Sequence, residues 1–406
     1  MIGFGDRVSD PVGSGLVLAF ALGFYVLGCC LLLFTGATFG TLHAFAGFIV
    51  LAIIAALNQL LPVLTYAPVA RPQTVLAIAL AFSVGFALLI AGFFGFNTFF
   101  AASIVLAASA LVWVFWNARR LLLGKQEAQT RALMACAVLA FLAAAGIGAS
   151  MAGALAGQWP AASLNLATLH ASLAILGFAS LLIVAISYRF VPMFAVAHGT
   201  AYGRRGAQWL AVAGVIIVAA GIHSPVGLLF GFTLLLIAAA SIGYSHVITL
   251  ASRLRKRLDV SLRYGLVAWT LAIVALCLAL AAVWYERLWM AAVTLGVLGW
   301  ISITILGYAF KVAGFLAWQT AKERDPSAQL PALSTAVNLP MAYLGLALLG
   351  AGAVASAVCN VVNSEHAQIG YGMYAAGGLL AVASLAKLAF LYVFRGRTNE
   401  VYRAVG

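Results

Sequence analysis

The chain has 406 residues, 65% of them hydrophobic and 8% charged, and its mean hydropathy is +1.11. These values exclude a soluble globular fold. Helices of about 18 or more apolar residues satisfy their own backbone hydrogen bonds in lipid, so the composition predicts an all-α integral membrane protein. A net charge of +13 would suggest a nucleic-acid partner in a soluble protein; here its placement reads as topology, and no nucleic acid is expected.

In chain order, twelve spans are predicted, at about residues 13–35, 40–64, 73–95, 97–118, 130–156, 163–190, 206–223, 225–250, 261–284, 287–318, 334–358 and 367–394. Pro11, Pro72, Pro160, Pro225 and Pro331 mark boundaries. The longest hydrophilic segments, near 119–131 and 251–263, are too short to build a core, so residues 1–406 form a single transmembrane domain. On this drawing 21 of the 22 basic residues fall on one side and only Arg287 on the other. That separation predicts a multi-pass protein of a bacterial inner (cytoplasmic) membrane with both termini cytoplasmic. The first stretch lacks a basic segment followed by a small-residue cleavage site, so the first span is expected to be retained. Five cysteines without a CxxC, two of them adjacent (Cys29 and Cys30), do not form a disulfide framework. All nine acidic residues lie at span ends or in loops, which leaves no acidic path for protons through the membrane.

The second span, from Thr41 to Leu64, and the sixth, from Thr168 to Phe194, share a pattern. Gly-Phe is followed 15 residues on by proline, from Gly47 to Pro62 and from Gly177 to Pro192. A degraded third copy runs from Gly299-Trp300 to Gly314-Phe315, with Lys311 at the position of Arg189, 12 residues after the glycine in both. The three glycines are 130 and 122 residues apart. A two-fold transporter would repeat at half the chain length; this period predicts three pseudo-repeats of four spans, approximately 13–118, 130–250 and 261–394.

Twelve helices in three arcs of four, with His43, Gly47, Phe48 and Pro62 on the second span and His170, Gly177, Phe178 and Pro192 on the sixth, resemble subunit I of the heme-copper oxidase superfamily. The pattern is most similar in style to its non-oxidase relatives, the NnrS-like membrane proteins and neighbouring groups. The resemblance covers the whole chain in topology and rests in residues on the three motif helices. The chain departs from the oxidases: it has no His-His pair and no histidine on the tenth span. Its second span also opens His43-Ala44-Phe45-Ala46 where the NnrS-like pattern has His-x-His-Glu-Met. The resemblance therefore implies heme b, with copper as a second candidate cofactor, but neither oxygen reduction nor proton pumping. Electron transfer with a redox partner or quinol, or a part in nitric-oxide or metal stress, is the implied activity. On the superfamily's helix arrangement, His43 and His366 would face one heme site, and His170 and His223 a second site for heme or copper. The rival class is a transporter or assembly factor without a redox cofactor.

The topology puts His43, His170, His223 and His366 at the outer ends of spans two, six, seven and twelve, and His198 and His246 on the inner side. Neutral imidazole is a good ligand for heme iron and for copper. Gly47 lies four residues after His43 and Gly177 seven after His170. Each shares a helical face with its histidine and would let a flat macrocycle approach. The ordinary alternative is an interfacial histidine that meets only water or a backbone carbonyl. Cys29, Cys30, Cys359, Met290 and Met373 lie at a similar depth as soft donors, although buried cysteine is commonly just a small apolar residue. Arg189 follows His170 by 19 residues, about 28 Å of helix, and so marks the opposite face, as does Lys311. Trp159, Trp284, Tyr285 and Trp289 read as an outer aromatic belt.

Overall fold

The computed structural model describes residues 11–404 apart from 126–127, 159, 161–163, 198–203, 255–256, 328–329, 331–335 and 363–365. His198, Trp159, Pro331, Arg7, Arg255 and Lys256 lie outside the described residues, as do the side chains of Arg395, Arg397 and Arg403. The described residues are helical with no strand, and helices occupy all twelve predicted stretches. They are α1 (Pro11–Thr35), α2 (Phe39–Thr65), α3 (Pro72–Phe93), α4 (Phe99–Leu123) and α5 (Ala128–Leu155). The sixth rod, α6, comprises Leu164–Ser172, a π-helical segment Leu173–Ser180 and Leu181–Ala195. Then come α7 (Arg204–Ala220), α8 (Pro225–Ala251) and α9 (Val260–Ala282). The tenth rod, α10, opens with a 3-10 turn Glu286–Leu288, runs through Trp289–Thr294 and a π-helical segment Leu295–Ser302, and ends with Ile303–Arg324. α11 (Leu339–Val362) and α12 (Ala367–Ala404) complete the bundle.

Local chemistry sets the helix starts. Pro72 and Pro225 stand at first helical positions, where the missing N–H is not needed. Thr38, Ser224 and Asp259 cap α2, α8 and α9 by accepting from the backbone N–H of Thr41, Gly227 and Ser261. Eleven of the helices are long and apolar enough to cross a membrane. The shorter one, α7, has 17 residues, about 26 Å of rise. It packs antiparallel on α8 through small residues: a Cβ on Gly221 would stand 2.8 Å from the Gly227 Cα, and one on Gly231 2.7 Å from a Val218 methyl.

Two of the three motif helices are central: in α2 and α10, 83% of the most apolar stretch is buried, against 33% to 50% in the other nine, α6 among them at 50%. α6 and α10 are joined by Trp300 Nε1–H donating to Ser180 Oγ at 2.9 Å and by Ser187 Oγ against Tyr308 Oη at 2.6 Å.

Each motif helix also meets the helix that precedes it in the chain in the same way. The aromatic after the glycine packs on a ring from that helix: Phe48 on Tyr25 of α1 at 4.8 Å, Phe178 on Phe141 of α5 at 4.5 Å, and Trp300 on Trp269 of α9 at 4.6 Å. The glycines face the same helices. A Cβ on Gly47 would stand 2.8 Å from Phe24 Cδ1, on Gly177 2.7 Å from Ala140 Cβ, and on Gly299 3.0 Å from Leu271 Cδ1. The two π-helical segments, LAILGFAS and LGVLGWIS, place glycine fifth, the aromatic sixth and serine eighth. Finally, α2 and α6 each stop four residues past their proline, at Tyr66 (φ 53°) and Val196 (φ 50°). These two are the described non-glycine residues with positive φ.

Basic residues gather at the C-terminal end of α2. There the Lys125 backbone N–H donates to Thr65 O (2.9 Å), and the side chains of Arg131 and Arg204 donate from Nη1 to Leu121 O (3.1 Å) and from Nη2 to Thr130 Oγ1 (3.0 Å). Arg189 is exposed, whereas Lys311, expected only to reach toward the head groups, pairs with Asp259 at 2.7 Å.

Candidate functional site

At the opposite end of the bundle, α2 begins in a knot of hydroxyls. Thr41 Oγ1 donates to Gly36 O at 2.7 Å and lies 3.0 Å from Thr38 Oγ1. This fixes the first turn of α2, on which His43 sits. Its Nδ1 donates to Phe39 O at 2.7 Å, and its ring packs on Phe93 at the end of α3, 5.2 Å between centres. Phe93 is buttressed edge-on by Phe99 of α4 at 5.2 Å.

His170 stands on α6, three residues before the π-helical segment begins. Its Nδ1 donates across to Ala144 O on α5 at 2.9 Å. One turn further along α5, Gly148 makes the room: a Cβ there would lie 2.8 Å from His170 Cε1. Both imidazoles are half-buried, and they come together, with ring centres 6.3 Å apart and planes inclined by 17°.

The tautomers follow from the acceptors. A carbonyl oxygen can only accept, so both Nδ1 atoms carry the proton and each neutral ring keeps its lone pair on Nε2. A backbone partner on one ring nitrogen is also how proteins orient metal-binding histidines. Among the described residues no three His, Cys, Asp or Glu side chains gather to hold a metal, so the pair supplies two protein donors. Two neutral imidazoles are donors that would suit a heme iron.

The structure thus pairs the histidines differently from the expected His43–His366 and His170–His223. His366 and His223 are exposed in the turns before α12 and α8, while α2 and α6 bring His43 and His170 face to face. Beside Gly47 and Gly177 stand Phe24 and Ala140, so their small size lets α2 pack on α1 and α6 on α5. Cys29 is buried, and Cys30 and Cys359 are half-buried. Phe93, the Ala144 carbonyl and Gly148 were missed. They carry no sequence signal, since each acts through a neighbour distant in the chain.

His246, assigned to the inner side, is buried on α8, with Tyr188 and Trp269 rings each 5.4 Å from it. It has no place in the His43–His170 contact. No protein-family model matches the chain, and no curated protein matches it.

Proposed function

We propose that this chain is a heme b-binding, multi-pass membrane protein of heme-copper-oxidase-like fold, in which His43 and His170 would hold the heme. The observation that carries the reading is the pair itself: near-parallel imidazoles 6.3 Å apart, each with Nδ1 committed to a carbonyl. Bound heme supplies one-electron chemistry. Phe39 O and Ala144 O hold the two rings in the donor tautomer, and Phe93, backed by Phe99, packs on the His43 ring. The proposed role is electron transfer with a redox partner or quinol, or a part in nitric-oxide or metal stress, in a bacterial inner membrane. Copper is left out of the proposal, because the pair brings no third donor.

Twelve crossings in three arcs of four belong to the same proposal. What supports them is the three-fold recurrence of the aromatic lock on α1, α5 and α9 and the matched π-helical segments. The packing of α7 along α8 favours counting α7 as a crossing despite its 17 residues.

The test is a reduced-minus-oxidised spectrum of protein purified in mild detergent from heme-replete cells. His43→Ala and His170→Ala are each expected to abolish the b-type absorbance, while His223→Ala and His366→Ala keep it. A colourless wild-type preparation would sink the proposal. That outcome would favour the rival transporter or assembly factor.

A further inference from the structure

α2, α6 and α10 share the glycine–aromatic motif, yet they wind differently. α6 and α10 each hold an eight-residue π-helical segment, with Ser180 and Ser302 three residues after the motif glycine. α2 has Val50 at that place and is α-helical from Phe39 to Thr65. A turn closed by i→i+5 bonds takes up one residue more than an α-turn, and such turns are rare unless something holds them. In both segments a side-chain hydroxyl takes a carbonyl. Tyr374 Oη of α12 donates to Leu298 O at 3.1 Å, and Ser180 Oγ donates to Ile175 O at 2.7 Å. Ser180 thereby reaches back five residues, the π-helical spacing. Hydroxyls in α-helical stretches reach back four, as Thr65 does to Leu61 O and Thr304 to Trp300 O. Trp300 Nε1–H donates to the same Ser180 Oγ at 2.9 Å. That bond occupies a lone pair and leaves the hydroxyl proton for Ile175 O. Trp300 is in turn packed against Trp269.

The consequence falls on His170. From Leu181 to Tyr188 α6 is buried, whereas every residue from Leu166 to Leu176 is half-buried. The inner part of the rod is seated in the bundle. The outer part, which carries His170, takes its rotation from the segment between them. If that segment rewound as α-helix, its surplus residue would pass to the outer part and turn it by about 100°. The direction now held by His170 would fall to Ala171, and the imidazole would leave Ala144 O and His43.

We propose that Ser180, its hydroxyl oriented by Trp300, is a positioning residue for the candidate site: it holds α6 in the π-helical register that turns His170 toward His43. The inference deepens the heme reading and rests on its His43–His170 pair, but it concerns the direction of one side chain and is read without heme.

The test uses the full chain in detergent, with its five cysteines replaced by alanine and a short bis-maleimide as cross-linker. His43→Cys is combined either with His170→Cys or with Ala171→Cys, and the ratio of the two cross-linking rates is measured. With Ser180 in place, the pair at positions 43 and 170 is expected to react severalfold faster than the pair at 43 and 171. Ser180→Ala should reverse that preference, and Ser180→Thr, which keeps the hydroxyl, should retain it. Adding Trp300→Phe to Ser180→Ala leaves no indole donor without its acceptor, so this double variant guards against simple misfolding. Its ratio should still favour position 171 although its melting temperature returns toward that of the parent, a combination that a merely structural role for Ser180 does not produce. A preference for position 170 that persists in the double variant overturns the proposal and leaves the heme reading standing. A colourless wild-type protein ends the heme reading and leaves the cross-linking ratio to decide this one.

Discussion

Single atoms decide the histidine pair. Gly148 is the most exposed to test, because His170 Cε1 would lie 2.8 Å from any Cβ placed there. Gly148→Ala is expected to push the ring off Ala144 O and to lower the b-type absorbance at least severalfold while the protein still folds, with a stability cost of about 1–3 kcal/mol. Normal absorbance in the variant would mean that the ring does not need this position. A second residue-scale prediction concerns Val196, a β-branched residue in the left-handed region at φ 50°. Left-handed backbone costs a side-chain-bearing residue roughly 1–2 kcal/mol, so Val196→Gly should stabilise the protein by about 1 kcal/mol in thermal unfolding. A lower melting temperature would show that the Val196 side chain contributes more than its backbone strain removes.

Between elements, the contact of α6 with α10 combines an unusual helix geometry with a specific polar bond. Both rods carry an eight-residue π-helical segment at the same register, and such segments are rare and often sit near functional sites. Trp300 Nε1–H reaches Ser180 Oγ, which itself donates to Ile175 O. Ser180→Ala removes the acceptor and leaves a buried indole N–H without a partner, at a cost of about 1–3 kcal/mol. The double variant with Trp300→Phe should recover much of that loss, because neither donor nor acceptor then remains. Additive losses in the double-variant cycle would show that the two residues do not act as a pair.

At the scale of the whole molecule, topology turns on α7. If its 17 residues cross the bilayer, both termini lie on one side; if they do not, the termini are separated by the membrane. Reporter fusions at each terminus, read in intact cells, are expected to place both in the cytoplasm, as the one-sided distribution of 21 of 22 basic residues suggests. Opposite sides for the two reporters would remove α7 from the count and reverse the charge argument for the second half of the chain.

Composition and spacing alone determined the all-helical membrane character and the position of every helix, because the backbone in lipid has almost no other way to satisfy its hydrogen bonds. They also marked α2, α6 and α10 as special, through glycines spaced 130 and 122 residues apart, and they offered His43, His170, His223 and His366 as candidates from six histidines. Tertiary structure decided what those residues meet. Gly47 and Gly177 admit Phe24 and Ala140, since a glycine in a pattern marks a close approach without naming the partner. His43 meets His170, because which histidines meet depends on how α2 and α6 pack, a relation between residues 127 positions apart in the chain. The same holds for Arg120: in the sequence it is one of 22 basic residues, and only packing buries it beside Trp116 and Asn117.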